Sequence, residues 1–495
     1  MNETEISHSG HQPPPLTGGG EEERRSFHLP WPVFVLLAIL GAAVFGAMVA
    51  KSTGLAVFSV LILGLLLTVV QRPLIALSLL LVLFPFSEIP FFADKLVSIP
   101  GARPALLLGV FVVGISMINL WKASRPGGLA TMFSLVSMAL FTFAVIRSVP
   151  YLDTLNAFWP EDDLSVSGYV LSYLVKRLIY FLPFVVVVLY AHSRKEITFV
   201  LEVLVASVVM LSLYFLYYYL FNVDNKGVIE LAWEYAGDAL GLHKNAAAAI
   251  YVIVFPLCLA RFFVKKDFWG IAALVLSLLS IAFLYSRTAY VTAIMSWILY
   301  LVLSKRTRFL PAFFAGAVVV VLLLSTSAIS ESILERATSR VETGDLNKIS
   351  AGRLELLWIP LAEEYVQHPV DMAIGKGRYA MLTTAAARQG FILGASHPHN
   401  MYFEQILDAG FVGLVSFLIF FLLFLRLFYR SLSSIQDPVL REYQVGTIVS
   451  VISFLAAGMT AGTFFPDLEN TNIWVVLALG VVITRVSAGR NAGHA

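Results

Sequence analysis

The feature that most constrains this 495-residue chain is a succession of long apolar runs separated by charged connections. About eighteen apolar residues with few charges are enough for a helix to span a bilayer. An isolated span in lipid must be helical, because only a helix satisfies its own backbone hydrogen bonds. The composition agrees, since 58% of the residues are hydrophobic and 13% are charged, against about 25% charged residues in soluble domains. The sequence therefore predicts an all-α integral membrane protein with about 12–14 transmembrane helices.

The predicted spans follow one another along most of the chain. They are Trp31–Ala50, Thr53–Val70, Pro73–Phe86, Ala105–Trp121, Leu129–Val149, Tyr169–Tyr190, Thr198–Phe221, Asn245–Val264, Phe268–Tyr285, Thr288–Ser304, Phe309–Ser325, Met401–Leu425, Thr447–Phe465 and Asn472–Thr484. The third and the last are short for a full crossing, so a re-entrant or half-buried segment is an alternative for each.

Basic residues alternate between a rich and a poor side of this arrangement. With the N-terminus inside, the short outer loops hold only Lys51, Lys95, Arg103, Lys226, Lys244 and Arg287. Since cytoplasmic loops carry the excess of basic residues, both termini are predicted to be cytoplasmic. The predicted organisation is a polar, disordered cytoplasmic tail (1–28), membrane helices (29–325), an extracytoplasmic loop domain (326–399), further membrane helices (400–486) and a cytoplasmic tail (487–495).

The outer segment Thr326–His399 is roughly seventy residues long, far beyond an ordinary connection. Two stretches within it, Ser330–Arg340 and Arg353–Tyr365, have helical composition. We expect His368-Pro369 to end the second helix, because a residue before proline avoids helical backbone angles. Long loops that keep structure of their own are usually functional, which directs attention to the outer side.

Several common kinds of site are not indicated. Gly375-Lys376-Gly377 lacks the third glycine of a dinucleotide fingerprint and is not a P-loop, and no Cys/His set has zinc spacing. A net charge of +2 does not point to a nucleic-acid partner. Cys258, the single cysteine, lies in an apolar run and is predicted to be buried and inert. We therefore expect no cofactor and no metal.

A set of cationic and histidine side chains remains near the outer ends of the spans, where ionisable groups are functional candidates because they are costly to bury. Arginine suits a lipid-linked diphosphate, since its planar guanidinium makes paired, charge-assisted hydrogen bonds. A neutral histidine can take a proton from a sugar hydroxyl near pH 7. The candidates are Arg287, Arg353, Lys176, Arg177, Arg378, His243, His397, His399 and Asn400.

Each candidate also has a purely structural interpretation. Arg287 can lie at the interface with its charge reaching water. Lys176 and Arg177 can pair with Glu161 or Asp162, and His399 can be an ordinary interfacial polar residue.

Three stretches, in this order, resemble the O-antigen ligase and polymerase superfamily of bacterial inner membranes. They are Ser286-Arg287-Thr288-Ala289, then Gly352-Arg353-Leu354-Glu355-Leu356-Leu357-Trp358 with His368-Pro369 and Ile374-Gly375-Lys376-Gly377, and last His397-Pro398-His399-Asn400-Met401-Tyr402 followed by Gly410-Phe411-Val412-Gly413-Leu414. The similarity extends with motifs from roughly Gly241 to Leu425.

The resemblance implies a GT-C-like membrane glycosyltransferase fold in the bacterial inner membrane. Such an enzyme moves a glycan from undecaprenyl diphosphate to an acceptor hydroxyl on the periplasmic side, without metal and with inversion. Arg287 and Arg353 would bind the diphosphate and His399 would be the general base. Lys176 and Arg177 are further diphosphate candidates, and His397, Asn400 and Arg378 are supporting ones. The partners would be the lipid-linked donor, membrane lipids and a glycan, lipid or protein acceptor.

Three types of transferase fit the resemblance: an O-antigen ligase, an O-antigen or exopolysaccharide polymerase, and a protein O-oligosaccharyltransferase. The main alternative outside this class is a polysaccharide or lipid-linked-sugar transporter or flippase. Transporters bind near the bilayer midplane, whereas the candidate residues here gather towards one end of the spans, which favours the transferase.

Overall fold

The structure, a computed structural model, describes residues 73–86, 109, 128–158, 165–223, 232–311, 353–388, 397–460 and 462–492. These residues form helices and connections without a strand. The long helices are α1 (Pro73–Leu83), α2 (Gly128–Ser148), α3 (Val166–Tyr190), α4 (Arg194–Asn222), α5 (Lys244–Lys265), α6 (Phe268–Phe283), α7 (Arg287–Leu303), α8 (Met401–Ser431), α9 (Pro438–Ala457) and α10 (Thr471–Ala492).

Seven helices among the described residues are long and apolar enough to cross a bilayer, and α1, α6 and α7 are shorter apolar helices. The prediction of an all-α integral membrane protein is confirmed. Every predicted span that falls on described residues coincides with a helix, at least in part. The remaining predictions lie outside the described residues, wholly or nearly so: Trp31–Ala50, Thr53–Val70, Ala105–Trp121 and Phe309–Ser325. The acidic stretch 161–163 and the predicted helix Ser330–Arg340 also lie outside them.

Several predicted boundaries differ from the structure, and two spans differ most. The span expected at Thr447–Phe465 begins at Pro438, where Asp437 caps the helix, and ends at Ala457. Polar residues in its first turns made this stretch resemble a connection in the sequence, and these residues are paired within the protein. Glu442 accepts from Arg306 at 2.6 Å, and the amide of Gln444 donates to Ser431 at 3.0 Å. The last helix, expected to be short, runs for 22 residues.

Helix α5 lies at the centre of the described bundle and packs against α4, α6, α7 and α9. Its contact with α9 is close because Gly446 has no side chain: a Cβ there would meet the Pro256 carbonyl at 3.1 Å. Small residues at helix interfaces allow such an approach in membrane proteins. Cys258 is buried on α5, as the sequence predicted.

A second core joins α2, α3, α8 and α10 through aromatic rings. Phe133 lies at its middle, with ring centroids 5.0 Å from Phe424 and 5.4 Å from Phe184. Trp474 of α10 is fully buried against Phe181 at 5.3 Å. Edge-to-face pairs of this kind contribute about 0.5–1.5 kcal/mol beyond the area they bury. They fix α3, which carries lining residues of the site described below, and α10, which begins just after Leu468 and Glu469 of that lining.

Ion pairs close one end of the bundle, where α5 and α7 terminate; we call it the opposite end. Arg261 is held by Glu202 at 2.7 Å and by Asp267 at 2.6 Å. Arg306 pairs with Glu442, which also accepts from the Tyr300 hydroxyl at 2.5 Å. The positive-inside pattern predicts that this end faces the cytoplasm.

The segment 353–388 docks on α2 and α8 through main-chain hydrogen bonds as well as through side chains, such as Arg378 with Glu404 and Asp408. Lys376 N donates to the Leu407 carbonyl at 2.9 Å, Gly377 N to the Asp408 carbonyl at 3.0 Å, and Arg378 N to the Ala144 carbonyl at 2.9 Å. The helix Ile359–Val366 ends before His368-Pro369, as expected. Gly375-Lys376-Gly377 is therefore an attachment point.

Two glycines make this attachment possible. Gly410 has a left-handed φ of 69° within α8, and a Cβ there would lie 2.2 Å from the Ala373 carbonyl. Gly375, with φ of 76°, approaches the Asp408 carbonyl equally closely. Only glycine combines a positive φ with so little space.

Candidate active site

Three histidines meet at the end of the bundle where α5, α7 and α8 begin, which we call the site end. The ring centroids of His397 and His399 are 4.2 Å apart, and those of His243 and His399 are 6.2 Å apart. His399 has a left-handed φ of 53°, and its N–H donates to His397 Nδ1 at 3.2 Å. Because the predicted base is held in an uncommon backbone conformation, its surroundings must fix it there.

The start of α8 and its neighbours supply that fixation. Asn400 caps α8 through Oδ1, which accepts from Tyr402 N and Phe403 N at 3.0 Å each. Met401 N donates to the Gly458 carbonyl at 2.8 Å. The Trp358 indole N–H donates to the Pro398 carbonyl at 2.8 Å. Asn400 thus caps α8 directly after His399, and Trp358 ties the segment 353–388 to the histidines.

The three histidines are held in the neutral form. Burial, followed by the nearby His397 and Arg353, lowers the pKa of His399 to about 2. Burial and the charges of Lys244, His397 and Arg353 lower the pKa of His243 to about 4. The pKa of His397 is also lowered, first by burial. A neutral imidazole has a ring nitrogen that can accept a proton at physiological pH.

Arg353 and Arg287 are placed around one residue, Thr460. Arg353 Nη1 donates to the Thr460 carbonyl at 3.1 Å, and the Thr460 hydroxyl bonds to that of Thr288. On the other side of Arg287, Ser286 donates to Asn245 Oδ1 at 3.0 Å. Arg287 begins α7 between two anchored neighbours. The structure therefore brings Arg353 close to the histidines and places Arg287 beside Thr288, which shares Thr460 with Arg353.

Two single π-helical turns lie next to candidate cations. Leu171–Val175 precedes Lys176 within α3, and Leu354–Trp358 follows Arg353. A π turn rotates the residues after it relative to those before it, and such turns are frequent at functional sites. Each turn therefore affects the direction in which a neighbouring cationic side chain, Lys176 or Arg353, leaves its helix.

A cavity of about 360 Å³ opens beside the histidines. It reaches into the bundle, since Lys176 and Arg177 lie about 15 Å along α3 from its first residue. Arg177 forms an ion pair with Asp467. Arg378 is buried and pairs with Glu404 and, at 2.7 Å, with Asp408. The wall also carries His397, Tyr180, Tyr379, Gly241, Leu242, Gly462, Thr463, Leu468 and Glu469.

The sequence located the cations of this cavity and missed its acids. Glu404 and Asp408 are one turn apart within an apolar span, a spacing that signals a buried cationic partner. Asp467 and Glu469 lie immediately before the last span. Arg177 forms its ion pair with Asp467, whereas the sequence suggested Glu161 or Asp162 as the partner. Among the described residues no group of three or more His, Cys, Asp or Glu side chains is arranged to hold a metal ion.

The comparison with known families concerns the same region. Residues 272–418 match the O-antigen ligase family model, Wzy_C. The matched range includes Arg287, Arg353, His397, His399 and the Gly410 kink. The resemblance predicted from the motifs is therefore confirmed. No curated protein matches the chain.

This match supports a membrane enzyme of the ligase family that transfers glycans, and such a family implies a lipid-linked glycan donor and a glycan acceptor. Helix α3, with Lys176 and Arg177, lies outside the matched range, as do His243, Asp467 and Glu469. The tertiary structure places these residues at the site, although they lie outside the region that matches the family model.

Proposed function

We propose that the chain transfers a glycan from undecaprenyl diphosphate to an acceptor hydroxyl, as an O-antigen ligase or as an O-antigen or exopolysaccharide polymerase. One observation carries the proposal. Burial keeps His399 neutral, and the charge of Arg353 also lowers the pKa of this histidine. Both residues fall within the region that matches the O-antigen ligase model. We place the reaction on the periplasmic face of the bacterial inner membrane, opposite the basic loops.

His399 is the general base of the proposed reaction. It accepts the proton of the acceptor hydroxyl while the hydroxyl oxygen forms a bond to the anomeric carbon of the donor sugar. The bond between that carbon and the diphosphate oxygen breaks, and its electron pair leaves with the diphosphate. Direct displacement inverts the anomeric centre. A bound diphosphate raises the pKa of His399 from its value of about 2, because nearby negative charge favours the imidazolium.

Arg287 and Arg353 bind the diphosphate in this proposal. Their permanent charge and planar donors neutralise the leaving group as its charge develops. The influence of Arg353 on the pKa of all three histidines supports its closeness to the base. Lys176 and Arg177 remain predictions for the same role. We favour the first pair, because Arg177 already pairs with Asp467.

The test is a transfer assay with the purified full chain in lipid nanodiscs. The donor is an undecaprenyl-diphosphate-linked oligosaccharide, and release of undecaprenyl diphosphate is measured with and without EDTA. We expect release that depends on an added glycan acceptor and is unchanged by EDTA. Arg287→Gln should reduce it by about a hundredfold, as loss of one electrostatic stabiliser does, while Arg308→Gln, at the opposite end, should not.

Two results would overturn the proposal. The first is a wild-type protein that consumes no donor but moves it across the bilayer, which would indicate a flippase. The second is activity that EDTA abolishes and Mg²⁺ or Mn²⁺ restores, which would replace arginine neutralisation by metal chemistry.

A further inference from the structure

The 360 Å³ cavity has charged walls that the proposed diphosphate site does not use. The described lining residues include as many carboxylates as cations. The cations are Lys176, Arg177 and Arg378, and the carboxylates are Glu404, Asp467 and Glu469. A diphosphate carries at least two negative charges and needs an excess of positive charge around it. The charge balance of the cavity suits a neutral ligand better.

The pairing of these charges leads to the same conclusion. Arg177 pairs with Asp467, and Arg378 pairs with Glu404 and Asp408. Breaking a buried ion pair to bind a ligand leaves an uncompensated charge and is strongly unfavourable. Both arginines therefore act as fixed parts of the wall.

Glu469 differs from the other carboxylates of the cavity. Within the part of the chain that the structure describes, its side chain makes no hydrogen bond or ion pair. It lines the cavity and also a small adjoining void bounded by Asn245, Ser286 and Thr288. A partly buried carboxylate without a partner is costly unless a ligand supplies hydrogen-bond donors.

We propose that this cavity binds a sugar ring of the acceptor and that Glu469 accepts hydrogen bonds from its hydroxyl groups. The inference rests on the proposed transfer function. A sugar ring is neutral and carries several O–H donors, and its bonds to a carboxylate are charge-assisted. Tyr180 and Tyr379 add aromatic surface to the wall, and the volume lies within the range of about 300–1,000 Å³ typical of small-ligand pockets.

The position of the cavity favours the acceptor over the donor sugar. His397 forms part of its wall, and the His397 ring lies 4.2 Å from that of His399. A ring held between Glu469 and His397 presents a hydroxyl to the proposed base. The adjoining void, which Glu469 also lines, contacts Thr288, next to Arg287, so in this proposal the diphosphate binds on the side of that void.

The test measures binding of methyl glycosides of glucose, galactose and N-acetylglucosamine to the full chain in nanodiscs by saturation-transfer NMR. Each titration is repeated with saturating inorganic diphosphate. We expect at least one glycoside to bind with or without diphosphate, and Glu469→Gln to weaken it about tenfold. The control is Glu363→Gln, which alters an exposed carboxylate on the helix Ile359–Val366.

Three outcomes would overturn the inference: no glycoside binds, Glu469→Gln binds as well as the wild type, or diphosphate displaces the glycoside and so assigns the cavity to the donor. A folded Glu469→Gln protein is shown by unchanged thermal unfolding and unchanged diphosphate binding. Failure of the transfer function is a separate result. A protein that binds glycosides through Glu469 but releases no undecaprenyl diphosphate keeps the sugar site and loses the proposed reaction.

Discussion

Two arginines, Arg261 at one end of the bundle and Arg353 at the other, are used in different ways. At the opposite end, Arg261 has 6% of its side chain exposed and is held by Glu202 and Asp267. At the site end, Arg353 donates to the main-chain carbonyl of Thr460, and its charge lowers the pKa of three histidines. One arginine is enclosed by acids, and the other projects its charge onto candidate catalytic groups. The partners of an arginine, more than its burial, therefore distinguish structure from function in this bundle.

The largest effect that tests this contrast is expected at His399. We expect His399→Asn to reduce the rate of glycan transfer by about a hundredfold or more, because the general base is removed. Asparagine tolerates the left-handed backbone better than most residues, so folding is preserved. The measurement is donor turnover per folded molecule. His368→Asn, at an exposed histidine before the helix Pro369–Ile374, is the matched control and should retain wild-type turnover.

Arg261 should show the converse behaviour. We expect Arg261→Met to lower the free energy of unfolding by about 2 kcal/mol, since it leaves Glu202 and Asp267 without their shared partner; their partial exposure limits the cost. Transfer per folded molecule should stay within about twofold of the wild type. Chemical unfolding in detergent gives the first quantity. Arg194→Met is the control, because Arg194 is itself more exposed than Arg261 and its pair with Asp437 is longer, at 3.3 Å. A stable Arg261→Met protein with impaired transfer would remove the contrast between the two ends.

A smaller effect is expected when the charge of Arg353 is kept and its shape is changed. Lysine has a point charge without the planar fork, so Arg353→Lys should lower kcat/KM for the donor by about tenfold. Arg388→Lys, at the edge of the same segment, should leave kcat/KM unchanged. Equal effects of the two variants would show that Arg353 acts only as part of the segment's general charge.

The smallest expected effect is that of pH. A histidine with an ordinary pKa of about 6.5 loses its neutral form about tenfold between pH 7.5 and 5.5. Burial lowers the pKa of His399 to about 2, so the neutral form persists through this range. We expect kcat/KM, which reports on the free enzyme, to change by less than about twofold. A tenfold fall towards pH 5.5 would show that the site is more open to water than the geometry indicates.

Much of the fold follows from hydropathy and charge, because a span in lipid has few structural options. The boundary of α9 shows where this reasoning stops. Arg441, Glu442 and Gln444 read as a polar loop, yet Glu442 pairs with Arg306, 136 residues away, and the Gln444 amide donates to Ser431 of the preceding helix. Pairing between distant helices has no local sequence signal.

The same limit applies to the candidate site. Motifs in the order of a known family located Arg287, Arg353 and His399, because these residues lie within recognisable stretches. Asp467 and Glu469 lie in an unremarkable turn before α10, and only the packing of α3 against α10 brings them to Arg177 and the cavity. Their contribution depends on the tertiary structure.

The attachment of the segment 353–388 through main-chain atoms has a consequence for redesign. The hydrogen bonds of Lys376, Gly377 and Arg378 come from peptide groups, and the close approach at Gly375 and Gly410 is likewise one of backbone to backbone. The solvent-facing side chains of the helix Ile359–Val366, such as Glu363 and Val366, take no part in it. The exterior of that helix can therefore be rewritten, in chimaeras or by directed evolution, while the glycine contacts and the buried Leu361 and Tyr365 hold it in place.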